Sequence, residues 1–105
     1  MKQYAIRDTV RTPVQCQCSC FADGGVIGGS VWDLSATGWR STLDQPVSIG
    51  LEKSVLMTLQ DGDGCHPVFI DSAIVRWSEG RHAGWEITRI DDSTQARLTA
   101  FMAQR

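Results

Sequence analysis

Asp33-Leu34-Ser35-Ala36-Thr37-Gly38 joins two strands of the predicted fold. Strand-forming residues precede it, and Gly38 lets the backbone bend. Because alternate side chains of an extended segment point the same way, we expect Asp33 and Ser35 to present a carboxylate and a hydroxyl side by side, with Leu34 on the opposite face. Such a pair suits a ligand edge that carries N–H donors, as guanine does. The alternative is that both side chains only close the turn by accepting bonds from backbone N–H groups.

Six strand patterns surround this turn and include its two flanks. Alternating apolar residues and turn signals predict strands at 14–21, 26–34, 39–43, 55–59, 68–78 and 85–90. The run at 61–64, Asp-Gly-Asp-Gly, is superficially similar to a calcium loop, but the spaced ligands and bidentate glutamate of an EF-hand are missing, so we interpret it as a hairpin turn. All four tryptophans fall in predicted strands, where core or rim positions are expected and one at the rim could stack on a base: Trp32, Trp39, Trp77 and Trp85.

In the last segment of the sequence, the spacing of the apolar residues changes from that of a strand to that of a helix. Polar residues at 91–93 can cap a helix and place negative charge at its positive end, while Leu98, Phe101 and Met102 recur at helical spacing. The sequence therefore predicts an all-β fold with a C-terminal helix, in which an antiparallel six-stranded β-barrel is capped by one α-helix. We expect one domain over residues 1–105, made of a mobile N-terminal arm (1–12), the barrel (13–90) and the helix (91–105).

Composition limits the classes of partner. The chain has 105 residues, 42% of them hydrophobic, which suits a single domain with one core. Its net charge of −2 gives no overall basic field of the kind that attracts nucleic acid or anionic membranes, so a bound anion must be held by local side chains. The N-terminus lacks the apolar region of a signal peptide and no apolar run could span a bilayer, so we expect a soluble, cytoplasmic protein.

Cysteine spacing gives two interpretations. Cys16, Cys18 and Cys20 alternate along the first predicted strand, so their side chains share one face and we expect small buried groups. A soft metal would need a fourth ligand such as Cys65 or His66. Structural zinc sites favour two to four residues between paired cysteines rather than one, so we expect no metal.

The N-terminal arm carries two arginines four residues apart. Arg7 and Arg11 are separated by one helical turn or by about 13 Å of extended chain, so both guanidinium groups can grip one compact ligand. Two bidentate arginines match phosphate oxygens or the O6/N7 edge of guanine. Together with Asp33 and Ser35, they suit one anionic ligand that contains guanine.

With these residues in place, the sequence resembles the PilZ domain family. The family signature is Arg-x-x-x-Arg followed, across one hairpin, by Asp/Asn-x-Ser/Ala-x-x-Gly, which here is 7–11 (Arg-Asp-Thr-Val-Arg) and 33–38. The runs 75–77 (Val-Arg-Trp) and 84–87 (Gly-Trp-Glu-Ile) are similar to the late strands of the family, and the terminal helix agrees. The resemblance covers nearly the whole chain and implies a PilZ-like β-barrel.

The resemblance also implies a receptor for cyclic dimeric GMP (cyclic-di-GMP), a bacterial second messenger. Arg7 and Arg11 would contact its phosphates and guanine Hoogsteen edges. Asp33 and Ser35 would hold a guanine by its donor edge, and Gly38 would keep the turn open for close approach.

Two features leave the extent of this implied site open. Family members often bind an intercalated ligand dimer, in which an arginine next to the first one stacks on a base; here that neighbour is Ile6, so one or two ligands remain alternatives. Arg40 and Arg76 are candidate additional contacts.

The predicted role is a ligand-gated adaptor with no chemistry and no cofactor of its own. The arm would close over the ligand and change a surface for a protein partner, such as a flagellar, pilus or polysaccharide-synthesis component, in motility or biofilm regulation. One alternative is a protein-interaction module that does not use the nucleotide site. Binding of single-stranded nucleic acid conflicts with the negative charge. Catalysis is least favoured, because neither His66 nor His82 has a nucleophile at motif spacing.

Overall fold

In the computed structural model, which describes residues 12–61 and 64–103, the β-strands form a closed barrel. Within those residues, six strands and one helix follow in order: β1 (Thr12–Ala22), β2 (Gly25–Leu34), β3 (Gly38–Leu43), β4 (Glu52–Asp61), β5 (Gly64–Glu79), β6 (His82–Arg89) and α1 (Asp92–Ala103). The strands form a closed antiparallel barrel in the order β1-β2-β3-β6-β5-β4, in which β4 pairs back onto β1. The predicted fold class is confirmed.

The barrel interior is filled by apolar side chains from alternate positions of the strands. Cys16, Cys18 and Cys20 are all buried, as predicted, and they join a core of aliphatic and aromatic side chains. Burial, followed by the two neighbouring cysteines, raises the pKa of the Cys18 thiol to about 12. The thiol therefore stays protonated and packs as a small apolar group.

Two tryptophans stack inside the barrel. Trp39 on β3 and Trp85 on β6 are register partners, and their rings lie 5.6 Å apart at 13°. Both are almost fully buried, whereas Trp32 is half-buried and Trp77 is 38% exposed. The interior pair fixes β3 against β6, and the other two rings are left on the outer surface.

Helix α1 begins where the sequence predicts a cap. The Asp91 carboxylate accepts hydrogen bonds from the backbone N–H groups of Ser93 (3.1 Å) and Thr94 (3.3 Å). A hydrogen bond from the Ser93 hydroxyl is the largest cause of the lowered pKa of Asp91. Leu98 and Phe101 are buried in the core, so the predicted apolar face is confirmed.

The limits of the elements differ from the prediction at several ends. Strand β1 already includes Thr12, a residue of the predicted arm, because its backbone pairs with Leu34. Strand β4 begins at Glu52 rather than 55, since exposed polar residues can join a backbone ladder without apolar alternation. Asp61 pairs with Gly64, which confirms the hairpin between β4 and β5. The predicted arm up to residue 11 and the helix end at 104–105 lie outside the described residues.

Candidate functional site

A pair of register shifts shapes the barrel around Asp33. On one side of β2, Val31 pairs with Ser41 but Asp33 already pairs with Arg40, so β2 carries an extra residue relative to β3. On its other side, the β1–β2 register shifts between Pro13 and Cys16. Such bulges bend a strand and re-aim its side chains. Here the bulge lets both Val31 and Leu34 enter the core, although they are three residues apart, and it sets Asp33 directly opposite Arg40.

Arg40 and Asp33 form an ion pair across these two strands. The Arg40 Nε–H donates to Asp33 Oδ2 at 2.9 Å, and an Nη2–H donates to the same oxygen. The Asp33 side chain is only 10% exposed and that of Arg40 is 40% exposed. The hydrogen bond to Asp33 raises the pKa of Arg40, so the guanidinium stays charged. The structure therefore brings together two of the residues predicted for the site.

The Ser35 hydroxyl is used inside the turn. Its Oγ accepts bonds from the backbone N–H groups of Thr37 (3.3 Å) and Gly38 (3.2 Å), and it donates to the Gly38 carbonyl at 3.2 Å. Ser35 is fully buried. Of the two interpretations of Ser35, the structure therefore shows turn closure, and the hydroxyl is not presented beside the Asp33 carboxylate. A contact between Ser35 and a ligand stays a prediction.

Gly38 allows another strand to approach closely. A Cβ at this position would lie 2.0 Å from the carbonyl oxygen of Trp85 on β6, so any side chain here would push β3 and β6 apart. Ser35 and Gly38 therefore shape the corner between β2, β3 and β6. The predicted close approach of a ligand at Gly38 is a separate expectation that the fold leaves untested.

An outer row of residues extends from Asp33 across four strands. Arg40 pairs with Gly84 on β6, and Gly84 pairs with Trp77 on β5. Register partners point to the same face, so Asp33, Arg40 and Trp77 line one outer surface. The Trp77 indole covers Gly84, where a Cβ would lie 2.0 Å from Trp77 Nε1. Across the strands, the row therefore presents a carboxylate, then a guanidinium, then a partly exposed aromatic ring.

A second aromatic group flanks Arg40. The Arg40 Cζ lies 5.8 Å from the Trp32 ring centroid, within cation–π range. Trp32 Nε1 donates to Thr42 Oγ1 at 2.8 Å, and the same oxygen lies 3.0 Å from His82 Nδ1. These contacts fix the Trp32 ring beside the ion pair. Sequence reasoning missed the cluster, because only the strand register brings residues 32, 42 and 82 together.

Among the remaining predicted site residues, the structure describes Arg76. On β5, its Nε–H donates to Glu86 Oε1 at 2.5 Å, and Glu86 is the register partner of Gly38. Arg7 and Arg11 lie outside the described residues. The first described residue, Thr12, pairs with Leu34 next to Asp33. Strand β1, which follows the arginine half of the motif in the sequence, therefore starts beside the Asp33 half.

The described part of the chain contains neither a cluster of metal ligands nor a membrane-spanning helix. Among the described residues, no three His, Cys, Asp or Glu side chains are grouped so as to hold a metal ion. The helix formed by those residues is also too short and too polar to cross a bilayer.

A family comparison accounts for this combination of fold and motif. The model of the PilZ domain matches residues 5–104. The chain belongs to the PilZ domain family. No curated protein matches the sequence at a significant level.

Two solved structures share the fold of this PilZ domain. The Bacillus subtilis inhibitor of motility MotI/DgrA superimposes with a TM-score of 0.80 at 22% identity, covering 100% of this chain and 53% of that chain. The chain thus spans about half the length of that protein. The PilZ domain of YcgR from Escherichia coli, solved with c-di-GMP, gives a TM-score of 0.63 at 13% identity and covers 91% of this chain and 88% of that chain.

Proposed function

We propose that this PilZ domain is a cyclic-di-GMP receptor that acts as an adaptor in the bacterial cytoplasm. Family membership and the structure of the YcgR domain with c-di-GMP support this ligand class. The observation that carries the proposal is the corner around Asp33, where a nearly buried carboxylate, its arginine partner and the Trp32 ring meet beside the start of β1. Arg7 and Arg11 directly precede that strand in the sequence.

Each residue of the proposed site has a chemical task. Arg7 and Arg11 grip the phosphates and the guanine Hoogsteen edges, and Asp33 accepts N–H donors from a guanine. Trp77 offers a ring on which a base can stack, since it is partly exposed and lies in the outer row with Asp33. Ser35 and Gly38 hold the turn in shape. Arg76, which is paired with Glu86, is the weakest candidate for a contact.

Closure of the N-terminal arm is the proposed signal. Ordering each residue costs about 1 kcal/mol or more, so several charge-assisted hydrogen bonds, each worth about 1.5–3 kcal/mol, are needed to offset it. The closed arm would change a surface that a motility, pilus or polysaccharide-synthesis protein recognises. The receptor carries out no catalysis and needs no further cofactor.

A second candidate is a protein-interaction module that does not use the nucleotide. The observation in its favour is an exposed apolar group at the other end of the β1–β2 hairpin. Phe21 and Val26 are register partners there, and the Phe21 ring lies 6.4 Å from that of Phe69 on β5. All three side chains are at least 40% exposed. Equal partner binding with and without nucleotide would favour this candidate.

Isothermal titration of the purified protein with cyclic-di-GMP tests the proposal, with GTP and cyclic dimeric AMP as parallel ligands. Saturable binding selective for the guanine dinucleotide is expected, and the molar ratio separates one ligand from an intercalated pair. Arg7→Ala and Arg11→Ala should each weaken binding by roughly tenfold to a few hundredfold. Arg97→Ala, an exposed arginine on α1, is the matched control and should bind like the wild type. Unchanged affinity in both arm variants would remove these residues from the site.

A further inference from the structure

The carboxylate proposed to hold guanine already has a partner in this structure. Both Nε–H and Nη2–H of Arg40 point at Oδ2 of Asp33. The Asp33 side chain is only 10% exposed, so this pairing offsets much of the penalty for burying its charge. A ligand that binds Asp33 must therefore share or replace Arg40.

The donor pattern of Arg40 matches that of the proposed ligand. An arginine presents Nε–H and Nη2–H as two neighbouring donors in a planar fork, and guanine presents N1–H and N2–H in the same way. We propose that Arg40 is an internal competitor for guanine at Asp33, a latch that ligand binding releases. This inference rests on the proposed function and adds a regulatory element to that site.

The surroundings of Arg40 allow an exchange of partners. Its side chain is 40% exposed, so the guanidinium can leave Asp33 without entering a buried environment. The Trp32 ring already lies beside it, with Cζ 5.8 Å from the centroid, and Trp32 is held in place by its bond to Thr42. Asp33 has no such freedom, because its carboxylate is nearly buried and loses two charged donors when Arg40 departs. Guanine can replace both donors, whereas a base without paired N–H donors cannot.

The apparent affinity for the ligand is the intrinsic affinity multiplied by the fraction of molecules in which the latch is open, the competent fraction. A partly exposed ion pair keeps the competent fraction at roughly 10–30%, so opening the latch should tighten binding about three- to tenfold. The direction is diagnostic, because a direct contact between Arg40 and the ligand would have the opposite effect.

The experiment compares cyclic-di-GMP titrations of the wild type, Arg40→Lys, Arg40→Gln and Arg97→Lys. Lysine keeps the charge but lacks the planar fork, so Arg40→Lys should bind about three- to tenfold tighter. Arg97→Lys, the matched control on α1, should bind like the wild type. Unchanged or weaker binding by both Arg40 variants would overturn the latch while leaving the receptor in place. No binding by any of the four proteins would overturn both.

A second measurement needs no variant. In ¹⁵N-labelled wild-type protein, the Arg40 Nε–H signal should be protected from solvent exchange without ligand, because it donates to Asp33. Saturation with cyclic-di-GMP should speed its exchange and shift it. A signal that stays protected in the saturated complex would show that Arg40 and Asp33 remain paired, which contradicts the latch even where a variant fails to fold.

Discussion

Replacement of Ser35 by alanine tests how the corner at residues 33–38 is held. The Ser35 hydroxyl accepts hydrogen bonds from the backbone N–H groups of Thr37 and Gly38 and donates one to the Gly38 carbonyl. Ser35 itself is fully buried. Without it, the Gly38 N–H loses this acceptor in the interior. A buried N–H without an acceptor costs about 1–3 kcal/mol, so the free energy of unfolding should fall by about that amount. For a domain of this size, each kcal/mol lowers the Tm by about 4–8 °C.

The assay is equilibrium unfolding in urea, followed by tryptophan fluorescence. The denaturation midpoint of Ser35→Ala should fall without a change in the slope of the transition, because the exposed surface of the unfolded chain stays the same. Ser30→Ala is the matched control, since Ser30 is an exposed serine of the preceding strand, β2, and the stability of this variant should differ from the wild type by no more than about 0.5 kcal/mol. A Ser35→Ala midpoint equal to that of the wild type would refute the assignment of the hydroxyl to the turn.

Three further predictions concern other parts of the fold. Gly38→Ala places a Cβ 2.0 Å from the Trp85 carbonyl oxygen and should lower the unfolding free energy by about 1–3 kcal/mol, as measured in urea. Titration of thiols with Ellman's reagent at pH 8 should show one fast group, the exposed Cys65, and slow reaction of the buried ones, including Cys18 with its pKa of about 12. Asp91→Ala should destabilise the protein at neutral pH. Because folding lowers the pKa of Asp91, its contribution is present above the ordinary carboxyl range and is lost as the pH falls through the folded pKa, so the wild type and the variant should converge in acid melts.

Apolar alternation is sufficient to predict most of the barrel. The cysteines of β1 and the apolar residues of β4 enter the core at every second position, since a strand with one buried face must place its apolar side chains at that period. Strand ends are less predictable. Glu52 and His82 begin β4 and β6 with exposed polar side chains, and polar side chains at exposed ends carry no periodic signal.

The geometry of the site depends on a feature that alternation cannot predict. Strict alternation would place Val31, Asp33 and Ser35 on one face and Leu34 on the other. The bulge in β2 instead sends both Val31 and Leu34 into the core and sets Asp33 opposite Arg40. A bulge has no compositional signature here, so the motif identifies the residues of the site but not their pairing.

This pairing makes stability and affinity depend on the same contact in opposite ways. Arg40 offsets the cost of burying the Asp33 carboxylate, so Arg40→Lys should be less stable than the wild type. The same change should open Asp33 to guanine and tighten binding. A residue that only supports the fold would lower stability without improving affinity, and a residue that directly holds the ligand would weaken binding. The combination of lower stability with tighter binding is therefore specific to a competitor, because the interaction that stabilises the empty site is the one that the ligand must replace.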